Sequence, residues 1–258
     1  MRLTDHPALQ HLAHRPWPLP TRRWTWRQTW HDLLFLHWPV PAPSLRTLVP
    51  PPLAIQEFGG AAWVGVIPFW MSDVAWRGWP GLPGASAFPE LNVRTYVSWA
   101  DQPGVWFFSL DAASRLAVWA ARRLYHLPYE FAAMRVRHAG EQTEYRSERP
   151  SGHGFAATYG ATGPVAASAP GSLEHWLTAR YCLYARSAGG ALSRAQIHHA
   201  PWPLQPAAAN VSRNDMLRVH GIDVTGPAPH LCYAARMDVV VWPRQRLALD
   251  APPPAPEL

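Results

Sequence analysis

The sequence predicts an α+β domain built on one large antiparallel sheet, either open or closed into a barrel, with two or three flanking helices. Three observations carry this. Strand-like runs dominate the chain, only two segments have clear helical spacing, and no linker is long enough to divide it. At 258 residues the chain sits near the upper end of what one domain with one core holds.

In order along the chain, Pro16, Pro18 and Pro20 followed by Trp24, Trp26 and Trp30 mark residues 1–23 as an extended arm. A first amphipathic segment spans 29–37. The run 61–70 holds Val64, Val66 and Ile67 and is broken by Pro68. Residues 91–99 alternate cleanly: Leu91, Val93, Thr95, Val97 and Trp99 face one way, Asn92, Arg94, Tyr96 and Ser98 the other. A turn at Asp101-Gln-Pro-Gly leads into an aromatic strand over 104–110. Asp111 is a good N-cap for a helix over 112–126, which Leu127-Pro128 ends. Its apolar positions Ala113, Leu116, Ala117, Ala120 and Leu124 form one stripe, with Arg115, Arg122 and Arg123 off it. Further strands are expected over 131–138, 143–148, 191–199 and 230–242, with a second helix over 173–181 capped by Ser172. Residues 24–246 therefore read as one domain, and the Pro-rich segment 247–258 as a disordered tail.

Composition narrows the function. Apolar residues make up 48% and charged residues 16%, which excludes disorder of the whole chain. No run approaches a membrane span, and the first residues lack the apolar core of a secretory signal. Cys182 and Cys232 lack metal-site spacing and read as buried thiols of a cytoplasmic protein. All 23 basic residues are arginine, so no lysine is available for a Schiff base. A net charge of +6 would suit nucleic acid, but the arginines are scattered, and arginine usage also follows from GC-rich codons. Nucleic-acid binding is therefore not expected. Of fifteen tryptophans, Trp63, Trp70, Trp99, Trp106 and Trp242 sit in strand-like segments as core candidates whose indole N–H groups need partners.

The strongest chemical constellation is Phe88-Pro-Glu-Leu-Asn-Val-Arg-Thr-Tyr-Val. Glu90, Asn92, Arg94 and Tyr96 share one strand face at steps of about 7 Å. Inside a covered sheet that face must line a cavity, where arginine, amide and phenol would hold a small carboxylate or carbonyl compound. On an open sheet the same alternation is a solvated outer face. His198-His199 alternate to opposite faces, which makes them poor joint metal ligands, and His31 and His37 lack helical ligand spacing. No metal site and no cofactor are expected. Arg180 and Tyr181 follow a short helix and are open to a pocket rim or to packing. A monomer and a homo-oligomer are equally compatible with the sequence.

FPELNVRTYV, then GVWFFSLDA, a helix ending in LPY, and the flanking LLFLHWPV, WVGVIPFWM and HHAPWPL resemble the YqjF-like family of uncharacterised proteins over about residues 24–243. That family is similar to the acetoacetate decarboxylases. The resemblance implies a cone-like antiparallel barrel with a small internal pocket. It places Pro128 at the decarboxylases' proline, Tyr129 where their nucleophilic lysine stands, Glu130 beside it, and Glu90 near their pocket glutamate. Glu90 is then the implied general acid/base, Tyr129 a proton-shuttling or orienting partner, and Asn92, Arg94 and Tyr96 the binding residues. Tyr129 departs from the pattern: a phenol forms no imine, so the Schiff-base decarboxylation does not carry over. A lyase or isomerase acting on a keto or hydroxy acid, and a non-catalytic sensor or interaction protein, remain as readings.

Overall fold

The computed structural model describes residues 6–82, 85–224 and 229–248. Its strands are β1 (Trp26–Val40), β2 (Ala54–Ile55), β3 (Glu57–Phe58), β4 (Ala61–Trp76), β5 (Phe88–Trp99) and β6 (Gln102–Ala112), then, after helix α1 (Arg115–Tyr125), β7 (Tyr129–Phe131), β8 (Ala133–Ala139), β9 (Gln142–Glu148) and β10 (Gly154–Ala161). Helix α2 (Leu173–Thr178) precedes β11 (Cys182–Arg186), β12 (Leu192–His199), β13 (Gln205–Asn214), β14 (His230–Val241) and β15 (Gln245–Arg246). All belong to one 15-stranded sheet. The path β12-β11-β6-β5-β4-β1-β14 returns on itself because β14 also pairs with β12, so these strands form a ring. From β14 the sheet continues outward through β13, β10 and β9 to β8. The α+β, sheet-dominated expectation is met.

Local chemistry explains the long strands. β1 and β4 are rich in aromatic and branched residues, and each carries an aspartate, Asp32 or Asp73, at positive φ where the pairing register shifts. The amphipathic segment at 29–37 is thus the middle of a 15-residue strand. Between β5 and β6 the turn is not Asp101-Gln-Pro-Gly. Trp99 pairs with Gln102, leaving Ala100 and Asp101 as a two-residue loop, both at positive φ. Such primed turns match the twist of paired strands, and this extends β6 back through Pro103. Gly104 is required on that strand, since a Cβ there would lie 2.6 Å from the Cys182 carbonyl oxygen on parallel β11.

The first helix also needs correction. Asp111 does not cap it; Ser114 does, its side chain accepting from the Ala117 N–H. Asp111 instead lies within β6, fully buried, because pairing with Leu91 carries the strand on to Ala112. The helix ends on His126 in the left-handed conformation, just before Leu127-Pro128. Ser172 caps α2 as expected, accepting from the His175 N–H. That helix stops at Thr178, since Tyr181 already pairs its carbonyl with Ile197 at the entry to β11. Strands β10, β11 and β13 carry alanine-rich or short sequences that give little strand signal.

Of the five tryptophans expected in the core, Trp106 and Trp242 are buried, whereas Trp63, Trp70 and Trp99 are half-buried. Indole N–H groups of four find acceptors: Trp63 on Phe58 O, Trp70 on Asp32 Oδ2, Trp106 on Leu48 O and Trp242 on Arg22 O. In the N-terminal segment, Arg15 donates to Ile197 O and stacks over Trp17 and Tyr181. Of the segment 247–258, Leu247 is buried and pairs with Leu192 O; the rest of the expected tail from residue 249 onward lies outside the described residues. Among the described residues no helix is long and apolar enough to cross a membrane.

Candidate functional site

The ring encloses a cavity of about 460 Å³. Pairing register orders its walls by depth. At the outer end Trp26 of β1 lies opposite Trp76 of β4. Deeper, Trp30 faces Met71, which faces Phe88 of β5. Then follow the pairs Phe69–Glu90, Ile67–Asn92 and, at the inner end, Gly65–Arg94. Alternation along β5 sends Glu90, Asn92 and Arg94 into this space while Leu91, Val93 and Val97 fill the core behind. Thr178, Arg180 and His199 also line it, and the outer end is bounded by α1 and the β4–β5 connection.

Glu90 is 4% exposed, and burial pushes its carboxyl up to about 8, with Asp111 adding to the rise and hydrogen bonds from Tyr129 and Asn92 opposing it. It is therefore largely a neutral acid at pH 7. The Tyr129 hydroxyl donates to Glu90 Oε2 at 2.7 Å. The Tyr145 hydroxyl donates to the Glu90 carbonyl at 2.6 Å and fixes the backbone. Burial and the Glu90 carboxyl hold the Tyr129 phenol well above its ordinary range, so it stays protonated.

Two guanidiniums serve the inner end. Arg94 donates from Nε to the Tyr96 hydroxyl at 3.3 Å, and Arg180 donates to Trp176 O and to Gln56 Oε1. Their Cζ atoms lie 5.6 and 4.9 Å from the centre of the same Tyr96 ring. The ion pairs formed among the described residues use other cations, so neither arginine has a carboxylate partner. One Nη of Arg180 and the Asn92 Oδ1 are buried without any hydrogen-bond partner. Burial lowers Arg180 to about 10, which leaves it cationic at neutral pH.

Tyr96 does not line the cavity. It is fully buried just past the inner end, packed with Val105, Leu177 and Trp176. It keeps the face of Arg94, since the β5–β6 register runs unbroken from Arg94 to Trp99, and it pairs with the lining residue Val105. Its hydroxyl accepts from Arg94 and lies 2.6 Å from His37 Nε2. Burial, then Arg94, keeps His37 well below the ordinary imidazole range and hence neutral, so that nitrogen accepts a hydrogen bond from the phenol. Tyr96 thus positions Arg94. Gly65 permits this, since a Cβ there would come 2.7 Å from His37 Nε2.

His198 and His199 do point apart. His199 faces the cavity, with Nδ1 2.7 Å from Ala200 O and its pKa pushed down to about 3 by burial. His198 packs instead against His14 and Arg15. Glu130 turns away from Tyr129 by strand alternation and meets Arg149 at 3.2 Å. Arg149 in turn grips the buried Asp111, with Nη2 to Oδ1 at 2.7 Å, and donates to Ser109 Oγ. Sequence pattern gave no signal for this cluster, nor for His199 as a lining residue.

The family model described as DUF2071, uncharacterized conserved protein, matches residues 27–238. The chain belongs to this family. Within it, the protein YqjF of Bacillus subtilis (strain 168) is 43% identical over 231 residues, covering 88% of this chain and 95% of that protein. This DUF2071 chain is also similar in structure to an acetoacetate decarboxylase from Legionella pneumophila, at a TM-score of 0.63 and 13% identity over 90% of this chain and 92% of the other. It is similar as well to the enduracididine biosynthesis enzyme MppR complexed with pyruvate, at a TM-score of 0.62 and 10% identity over 88% and 91% of the two chains. At such identities the likeness shows the fold alone: this chain has an acetoacetate-decarboxylase-like fold. The family expected from the sequence motifs is shown, and the fold likeness agrees with the expected architecture.

Proposed function

We propose that the ring of strands is a closed barrel, and that its cavity binds a keto or hydroxy acid on which Glu90 acts as general acid/base without a Schiff base. One observation carries the reading: a buried neutral carboxylic acid shares a cavity with two cations that have no carboxylate partner. Arg94 and Arg180 supply charge-assisted hydrogen bonds for a carboxylate. The orphaned Asn92 Oδ1 asks for a donor, which a ligand hydroxyl or enol provides. Near pH 8 the acid and carboxylate forms of Glu90 coexist, so the group can take a proton from the carbon next to a carbonyl. The bonding pair then moves to the carbonyl oxygen as an enolate, and Glu90 returns the proton at an adjacent atom. Tyr129, hydrogen-bonded to Glu90, holds the carboxyl in place. MppR, with a pyruvate complex, is a fold neighbour, which supports this ligand class.

The test is a thermal-shift screen against keto and hydroxy acids, with Arg94→Ala alongside. A ligand at a hundred times its dissociation constant adds about 2.7 kcal/mol, roughly 5–10 °C for a chain of this size. Arg94→Ala is expected to weaken binding about 10- to 100-fold, the range for hydrogen bonds to a charged group. No shift with any acid would sink the proposal.

A second reading, a sensor that keeps the barrel without turnover, is favoured by Tyr129 occupying one oxygen of Glu90. It predicts the same Arg94-dependent shift with no product formed.

A further inference from the structure

We infer that the acid bound here carries an apolar tail of about six to ten carbons rather than being a three- or four-carbon compound. The inference rests on the reading that the cavity takes a carboxylate at Arg94 and Arg180, and it specifies the remainder of the ligand.

Volume is the first argument. At about 30 Å³ per water-sized group, 460 Å³ holds about 15 such groups. A short keto acid of roughly six or seven heavy atoms would occupy less than half, leaving apolar walls in contact with trapped water.

Polarity is the second. Between Phe88 and Arg94 the cavity runs about 20 Å along β5, by strand spacing. Its cations stand at the inner end, whereas the outer layers are Met71, Phe88, Trp30 and Trp26. Among the described lining residues that end offers only neutral polar groups, Gln28, Ser86 and the indoles, and no cation, so a single orientation is favoured: carboxylate inward, tail outward past Glu90.

The third argument is the mouth. The lining continues without a break onto side chains left in solvent, Trp79 at 70% and Leu82 at 63% exposed on the β4–β5 connection, and Leu116 at 54% and Leu124 on α1. The apolar stripe of α1 therefore faces the opening at Leu116, Ala120 and Leu124, while Ala117 also packs against the core cluster of the cavity wall. A tail emerging between α1 and the connection would cover these groups. That accounts for a helix whose apolar side is left largely in solvent at Leu116 and Leu124.

The experiment titrates the full chain calorimetrically with straight-chain 2-oxo acids from butanoate to decanoate length, each below its micelle concentration, and with the primary alcohols of matching length. Kd is expected to fall about fourfold per added methylene, the value of one buried CH₂, until the tail reaches the mouth. Alcohols should bind far more weakly, and Arg94→Ala should erase the difference between acid and alcohol. Ala120→Trp, which narrows the mouth away from the polar residues, should remove the gain for the longest acids and leave the shortest unchanged. If affinity is flat with chain length but still depends on Arg94, the tail is refuted while the carboxylate site stands. Binding that rises with length equally for alcohols and acids, and ignores Arg94, would refute both. So would the absence of binding by every acid.

Discussion

Glu90→Gln is expected to raise unfolding stability at pH 8–9 by several kcal/mol while abolishing any turnover. The carboxyl sits near 8 in the fold, against an ordinary 4.5, because burial disfavours its charge. Between those values the folded chain binds more protons than the unfolded one, so stability falls as pH rises, by up to about 1.4 kcal/mol per pH unit. Below about pH 4.5 the term is fully present in favour of the fold; above about pH 8 it has been lost. Glutamine has no proton to lose. The variant should therefore match the wild type near pH 4 and diverge upward with increasing pH in chemical denaturation. Parallel stability curves from pH 4 to pH 9 would show that Glu90 is not held as a neutral acid, and would remove it as a general acid/base. A group retained at a cost to stability in its working pH range is what a catalytic role predicts.

Arg149→Ala should cost about 3–5 kcal/mol, the usual consequence of leaving a buried charge unpaired. Asp111 has no exposed surface, and Arg149 supplies its cation while also engaging Ser109 and Glu130. The double change Asp111→Leu with Arg149→Met should recover most of the loss, because it removes both charges and keeps the volume. Urea unfolding of the three variants measures this. A single variant within about 0.5 kcal/mol of wild type would mean that Asp111 is solvated or neutral, and that the cluster is not what joins β6 to the turn after β9.

What the sequence reveals follows from how physical signals decay with distance. The β5 alternation is legible because period-two patterning is local, and it correctly puts Glu90, Asn92 and Arg94 on one side of one strand. Tyr96 shares that side, but alternation does not reveal that it lies past the inner end under Arg94 and Arg180, because Arg180 is remote in sequence. Asp111 looks like an N-cap because its neighbours are locally ambiguous, and only the partners Leu91 and Arg149 reveal a strand. Whether the polar side of β5 meets solvent or a cavity was undecidable from alternation, and sheet pairing closes the ring that settles it. Arg180 and His199 reach the cavity through the α2–β11 connection and β12, far apart in sequence, so proximity to Arg94 leaves no pattern.

The pairing of β1 with β14 sets a timetable for synthesis. Trp26 aligns with Val241, so the seam joins the first long strand to the last. Strands β4, β5 and β6 are sequential antiparallel neighbours and can zip as they leave the ribosome. β1 can join them through β4, but its other edge has no partner until the end of β14 emerges. At about 5–20 residues per second, some 200 residues impose a wait of roughly 10–40 s, during which an aromatic strand edge stands open. Pairings this distant also slow folding after release. A nascent chain of this protein thus carries an unpaired strand edge throughout that wait, and a stop codon anywhere before β14 leaves a chain that cannot close.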